Sequence, residues 1–247
     1  MNERQNEIFD ILSKKPKVTV IELSRLLRVS EVTIRKDLTA LENQGLLKRT
    51  HGGATQIASN SIEKRMRFRY EEKLRIVKEA TKLVANGETI LIEAGSTNAL
   101  LAIELADNIN VHIITNSVFI AYTLNQYENV KLTVIGGEFQ SESEAMVGPL
   151  TKLCLSKICV DKAFIGMDGF SEKSGFTCGD FLRAEVGREM CQRAETIIIL
   201  AESSKFDNTG ITSVTELSKV GIVITDKAIA QEKVNILQKH NIQTIIV

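Results

Sequence analysis

Seven short runs of β-branched and aliphatic residues, separated in several places by stretches of helical spacing, constrain the fold more than any other feature of this chain. The runs are Thr89–Glu93, Val111–Thr115, Lys131–Ile135, Lys162–Ile165, Thr196–Leu200, Gly221–Thr225 and Gln243–Val247. Helical spacing falls over Lys73–Ala85, Asn98–Leu105, Val118–Gln126, Leu150–Ile158, Arg183–Arg193 and Ala228–Lys239. A strand covered on both faces is apolar along its length rather than alternating, and parallel neighbours need crossover helices between them. The pattern predicts an α/β fold with a mostly parallel sheet.

The first 57 residues have a different texture. A helix is expected over Glu3–Lys14, with Ile8, Phe9, Ile11 and Leu12 as its apolar stripe and Asn2 and Gln5 forming its N-terminal cap. Pro16 and Val18 mark its stop and a short extended piece. A second helix covers Ile21–Leu27, and Arg28-Val29-Ser30 makes a tight turn ending in a capping serine. A third covers Glu31–Asn43 and stops at Gly45. Its buried stripe is Ile34, Leu38 and Leu41, which leaves Ser30 at the tip, Thr33 and Arg35 on the flanks and Lys36 nearly opposite. Leu46 to Ala54 then reads as a strand entering a Gly-Gly hairpin that carries Lys48, Arg49 and His51. Hydroxyls and long cations near the N-terminus of such a helix suit the major groove of DNA, and a basic hairpin suits phosphates or the minor groove. Asp37 and Glu42 oppose that reading unless neighbouring cations hold them or they lie away from the interface.

The charge distribution agrees. Residues 1–75 carry 16 Lys+Arg and 10 Asp+Glu, and residues 76–247 carry 15 and 21, so a net charge of zero hides a basic head on an acidic body. Three segments are expected: 1–57 as a winged helix-turn-helix, 58–72 as a linker with the basic run Lys64–Tyr70, and 73–247 as the α/β body. No run of about 18 apolar residues and no apolar leader is present, so neither a membrane span nor secretion is expected, and the location read from this is the cytoplasm. Cys154, Cys159, Cys178 and Cys191 form no CxxC pair and read as four small buried thiols, with no metal site or disulfide framework.

In the body, small, hydroxyl-bearing and charged residues gather after the runs. Ala94-Gly95-Ser96-Thr97 follows the first, Asn116-Ser117 the second, Gly136-Gly137 the third, Gly166-Met167-Asp168-Gly169 the fourth, and Ala201 to Lys205 the fifth. The carboxyl edge of an open α/β sheet is where ligands bind. Gly95-Ser96-Thr97 enters a helix, whose free N–H groups hold phosphates. Glu93, Asp168, Glu185 and Glu202 offer acceptors for sugar hydroxyls, and Lys205 offers a cation for phosphate.

At Val29-Ser30-Glu31-Val32-Thr33-Ile34-Arg35-Lys36-Asp37-Leu38 and Gly45-Leu46-Leu47-x-Arg49-x-His51-Gly52-Gly53-Ala54 the chain closely resembles the DeoR family of bacterial transcriptional repressors. The likeness continues through Glu93 to Thr97, Thr115-Asn116-Ser117, Gly136-Gly137, Asp168-Gly169, Ala184-Glu185-Val186 and Ala201 to Phe206. It implies a Rossmann-like body resembling sugar-phosphate isomerases, a homodimer or homotetramer, and double-stranded operator DNA as partner. Together with the hairpin reading above, which brings in Lys48, it implies that Ser30, Thr33, Arg35, Lys36, Lys48, Arg49 and His51 contact DNA. It assigns Glu93, Gly95, Ser96, Thr97, Thr115, Asn116, Gly136, Gly137, Asp168, Gly169, Glu185 and Lys205 to a phosphorylated sugar that controls operator affinity. No cofactor, metal or catalytic residue is expected.

The sequence departs from the family pattern at several points. Lys36 replaces a commoner arginine, Glu93 and Glu202 stand where Asp is usual, Cys178 stands for Thr or Ser, and Gly187 stands where many members carry Lys. Two other readings stay open at this point. One is an isomerase or deaminase working through Asp168 and Glu185. The other is a phosphate-binding scaffold with no regulatory link.

Overall fold

The computed structural model describes residues 2–15, 17–56 and 61–247. They fall into two compact units, Met1–Arg69 and Tyr70–Val247. Pro16 and residues 57–60, which include part of the expected linker, lie outside the described residues.

The first unit holds α1 (Glu3–Lys14), β1 (Lys17–Thr19), α2 (Val20–Leu27), α3 (Glu31–Asn43), β2 (Leu47–Thr50), β3 (Gly53–Gln56) and α4 (Ile62–Arg67). Local chemistry sets each boundary. The Asn2 and Gln5 side chains exchange bonds with each other's backbone N–H, and Thr19 and Glu22 do the same at the start of α2. The third helix ends in a Schellman motif: Gly45 N–H donates to the Glu42 carbonyl and Leu46 N–H to the Leu41 carbonyl. Gly45 takes φ +68°, which suits a residue without Cβ. β2 and β3 form the hairpin, with His51 and Gly52 at its tip, and β1 adds to β3 as a third antiparallel strand.

Leu12, Leu23, Ile34, Leu38 and Leu41 form the centre of this small core, each nearly or fully inaccessible to water. A unit of this size buries little apolar surface, so truncating one such leucine costs about 2–5 kcal/mol, a large share of its stability. The stretch expected as linker is more ordered than its polar sequence indicates. It holds α4, capped by Ser61, and the Phe68 ring returns to pack 4.6 Å from Phe9 of α1.

The second unit runs α5 (Tyr70–Thr81), β4 (Thr89–Ile92), α6 (Ser96–Asn108), β5 (Val111–Thr115), α7 (Val118–Leu124), β6 (Val130–Val134), β7 (Glu138–Gln140), β8 (Ala145–Val147), α8 (Pro149–Leu155), β9 (Val160–Ile165), β10 (Gly169–Ser171), β11 (Gly175–Cys178), α9 (Phe181–Gln192), β12 (Ala194–Leu200), β13 (Thr212–Thr215), β14 (Ile222–Thr225), α10 (Gln231–Lys239) and β15 (Gln243–Ile246). All seven expected strands form one parallel sheet in the order β15-β14-β12-β9-β4-β5-β6. From β4 the chain steps outward through β5 and β6. It then returns to the other side of β4 as β9 and steps outward again through β12, β14 and β15. The direction reverses between β4 and β9, so the carboxyl ends of those two strands flank the crevice of the fold.

Five further strands make a two-stranded hairpin, β7-β8, and a three-stranded antiparallel sheet, β10-β11-β13. Among the described residues no helix is long and apolar enough to cross a membrane. The expectation of four buried thiols holds only for Cys178 and Cys191. Cys154 and Cys159 are exposed, on and just after α8, which also turns Leu150 and Leu153 outward.

Candidate functional site

On α3 the outward residues are Glu31, Val32, Arg35, Lys36 and Thr39. Ser30 caps the helix by accepting from the Thr33 N–H, and the two hydroxyls lie 2.9 Å apart at its tip. Arg35 is exposed and bonds Glu31 one turn earlier at 3.1 Å. Of the three acidic residues of this helix, Asp37 is buried, with Arg4 Nε at 2.5 Å and Gln5 Nε2 at 3.2 Å, while Glu31 stays exposed. Glu42 accepts the Arg49 backbone N–H at 2.8 Å. Both carboxylates that opposed the reading are thus held by α1 or the hairpin, and the exposed cations remain. Lys48 and His51 are exposed on the hairpin. Arg49 is partly buried and its guanidinium donates to Thr39 Oγ1 at 2.9 Å, so it braces the hairpin against α3. Sequence reasoning passed over Val32 and Thr39 on this face. Val32 is 64% exposed, an apolar contact suited to a thymine methyl.

In the second unit the expected residues meet at the reversal of the sheet. Glu93 leaves the end of β4 and its Oε2 accepts the Gly166 N–H at the end of β9, 2.8 Å away. Asn98, 1% exposed on α6, fastens the same two strands by donating to the Glu93 and Phe164 carbonyls at 3.0 and 3.2 Å. Its Oδ1 is buried with no partner. Gly95 begins α6 with no side-chain cap, so the first N–H groups of a 13-residue helix point at this edge. Thr97 is buried and Ser96 partly so. Asn116 is fully engaged: its Oδ1 accepts the Ala94 N–H at 3.0 Å and its Nδ2 donates to the Met146 carbonyl at 3.0 Å. Thr115 Oγ1 accepts the Ser117 N–H. Asn116 and Thr115 therefore shape the strand ends.

Asp168 lies in the loop after β9. Its Oδ2 takes bonds from Arg183 at 3.0 Å, the Gly179 N–H at 3.1 Å and the Cys178 thiol at 3.4 Å, and Lys205 Nζ stands 3.9 Å from Oδ1. The two carboxylates behave in opposite ways. Burial pushes Glu93 up to about 7, against the pull of Arg183 and the Gly166 N–H. Burial also works against ionisation of Asp168, yet Arg183 and Lys205 outweigh it and hold that group below the usual carboxylate range. The edge thus pairs one carboxyl half-protonated near neutrality with one permanently charged and clasped by cations.

The remaining expected residues differ in their surroundings. A Cβ on Gly137 would meet the Thr151 hydroxyl and, at 2.8 Å, the Val147 carbonyl, so this glycine admits α8. A Cβ on Gly169 would lie 2.7–2.8 Å from the backbone of residues 208–210. Gly136 faces open space. Glu185 has Lys152 of α8 3.7 Å away as its ion partner, rather than the Glu93–Asp168 group. Glu202, read as a sugar acceptor, is buried and bonded to Lys73 at 2.7 Å. Asn98, Arg183 and Lys73 carry much of this geometry. No local pattern marks Asn98 or Lys73. Gly187 explains its own lack of a side chain: a Cβ there would lie 2.8 Å from Val214 and 3.4 Å from Glu93 Oε1.

Residues 4–60 match the DeoR-like helix-turn-helix domain family, and residues 69–227 match the DeoR C terminal sensor domain family. The HTH-type transcriptional repressor GlcR of Bacillus subtilis is 31% identical over 248 residues, 99% of this chain and 95% of that protein. The L-fucose operon activator of Haemophilus influenzae is 30% identical over 250 residues, covering all of both chains. Among solved structures, ribose 5-phosphate isomerase A of Methanocaldococcus jannaschii aligns over 56% of this chain and 54% of that chain, at 26% identity and a TM-score of 0.41.

Proposed function

The chain belongs to the DeoR family of transcriptional regulators, and on that premise we propose that it represses a carbohydrate-utilisation operon under control of a phosphorylated sugar. The head takes the operator, with Ser30, Thr33, Arg35 and Lys36 of α3 in the major groove and Lys48 and His51 on phosphate or minor groove. Arg49 supports that surface from behind.

The observation that carries the ligand reading is the uncapped start of α6 at the reversal of the sheet, with Lys205 and Arg183 across the crevice. Oriented N–H groups and two cations suit a phosphate. Glu93 and Asp168 suit hydroxyls. The groups favour holding over turnover: Asp168 is fixed as an anion by Arg183, and Asn116 and Thr115 are engaged by backbone. Exposed Phe139, Leu150, Leu153 and Phe181 on β7, α8 and α9 support self-association into the homodimer or homotetramer expected of such a regulator.

The test is fluorescence anisotropy on the DNA upstream of the protein's own gene, at fixed salt, titrated with a panel of sugar phosphates. One compound should change operator affinity by about 5- to 150-fold, and Ser96→Ala/Thr97→Ala should ignore it. An operator complex that no sugar phosphate alters, with none binding the isolated chain, removes the ligand reading.

A further inference from the structure

The charges at the sheet edge continue inward past Lys205. Lys205 lies on the short turn Ser203–Asp207 that follows β12, and its backbone N–H donates to the Glu202 carbonyl at 2.9 Å. Glu202, 5% exposed, meets the ammonium of Lys73 at 2.7 Å. Lys73, 1% exposed, is among the largest fully buried side chains of the protein. Burial opposes the charge of Glu202, yet Lys73 and then Lys205 bring it down to about 2. Lys205 therefore acts on two carboxylates, Asp168 at the crevice and Glu202 behind it. The Ser203 N–H is fixed in turn by Asp226 Oδ2 at 2.7 Å, which anchors the start of the turn.

Lys73 occupies the first turn of α5, which begins at Tyr70, immediately after the first unit ends at Arg69. A buried ion pair is a poor stabilising device, because apolar side chains of like volume do as well or better at the same place. Its position is what distinguishes this one. It joins the ligand-facing turn to the helix on which the chain enters the second unit.

We infer that the Lys73–Glu202 pair transmits the state of the sheet edge to the first turn of α5, with Lys205 as the cation shared between them. The inference rests on the reading of that edge as an anion site. A phosphate arriving at the crevice competes with Asp168 for Lys205, whose backbone N–H is bonded to the Glu202 carbonyl. The Ser203–Asp207 turn shifts with its lysine, Glu202 shifts with the turn, and Lys73 follows Glu202. Lys73 is a positioning residue in this scheme and touches no ligand.

A cycle on the full-length chain tests this without any ligand. Hydrogen–deuterium exchange over residues 70–75 and affinity for the upstream DNA are measured for the wild type, Lys205→Gln, Lys73→Met and the double variant. Lys205→Gln withdraws the shared cation, as a bound phosphate would. It should change exchange in residues 70–75 and operator affinity by about 5-fold or more in the wild-type background, and by less than about 2-fold with Lys73→Met. Lys73→Met alone should keep operator binding. If Lys73→Met unfolds the chain by leaving Glu202 without its partner, Lys73→Met/Glu202→Leu removes both charges and carries the same expectation. Equal responses in both backgrounds, or no response to Lys205→Gln in either, overturn the inference. Sugar phosphates that bind none of these forms remove the ligand reading and leave the cycle standing, since no ligand enters it.

Discussion

The exposed face of α3 and the carboxyl edge of the sheet are built on opposite plans. The α3 face comes from ten consecutive residues, Ser30 to Thr39, and its cations stand in solvent. The edge is gathered from the ends of β4, β5, β9 and β12, and its carboxylates and Asn116 already have protein partners. A surface that reads DNA needs charges ready and a rigid mount. A surface that senses a ligand needs bonds for the ligand to replace, because a ligand shifts a conformational equilibrium only by interacting differently with its two states. The carboxylates show the same division. Asp37 is tied off inside the head, whereas beside the crevice burial raises Glu93 to about 7 and cations keep Asp168 ionised.

The comparison breaks most visibly at the reading face. Arg35→Ala/Lys36→Ala should lower operator affinity by about 100-fold at fixed salt, and reduce the slope of log affinity against log salt by about one to two. Ligand binding, followed by calorimetry, should not change; a loss of both would mean the two surfaces are not independent.

Glu93 gives the next effect. Its folded pKa of about 7 is raised from the ordinary 4.5, so the folded chain binds this proton more tightly than the unfolded one. The contribution is fully present below 4.5 and is lost as pH rises to 7, roughly 3 kcal/mol across that window. Chemical unfolding of Glu93→Gln between pH 4.5 and 7 should lack this decline. Asp168, depressed by its cations, works the other way: its contribution stands at neutral pH and is lost in acid.

Gly187→Ala should destabilise the second unit by about 1–3 kcal/mol, since its methyl would crowd Val214 from 2.8 Å. Val214→Ala in the same chain should recover part of that loss in a thermal melt. The smallest effect belongs to the hairpin tip. His51→Ala should weaken operator binding by about 2- to 5-fold, evenly across operator sequences, as expected for a contact that reads no base.

The first three helices of the head and its hairpin were legible because their determinants are local, whereas α4 was not. Asn2 and Gln5, and Gly45, fix helix ends within a few positions of themselves. The seven strands of the large sheet were legible for a related reason, since burial on both faces leaves uninterrupted runs such as Ile197–Leu200. The five short strands were not. β7, β10 and β11 have three or four residues each, too few for any period, and depend on pairing with distant segments. The edge was half legible. Ser96, Thr97 and Asn116 announce themselves by following strands. Asn98 and Lys73 sit inside helical patterns, and nothing nearby records that the carbonyl of Phe164 or the carboxylate of Glu202 is waiting far along the chain. Gly137 and Gly169 were visible as glycines, but only packing shows that backbone and Thr151 fill the space.

The Arg4–Asp37 pair has a consequence for redirecting this protein to new DNA. It fastens α3 to α1 from the side that faces away from solvent, together with Ile34, Leu38 and Leu41. Positions 32, 35 and 36 take no part in that attachment to α1, and unlike Thr39 they do not hold Arg49 of the hairpin. They form an exchangeable facet on a fixed socket. A library that varies those three positions and holds Arg4, Asp37 and Thr39 constant should yield folded heads with altered operators, whereas grafting a whole foreign helix without that aspartate would leave its arginine facing an empty joint.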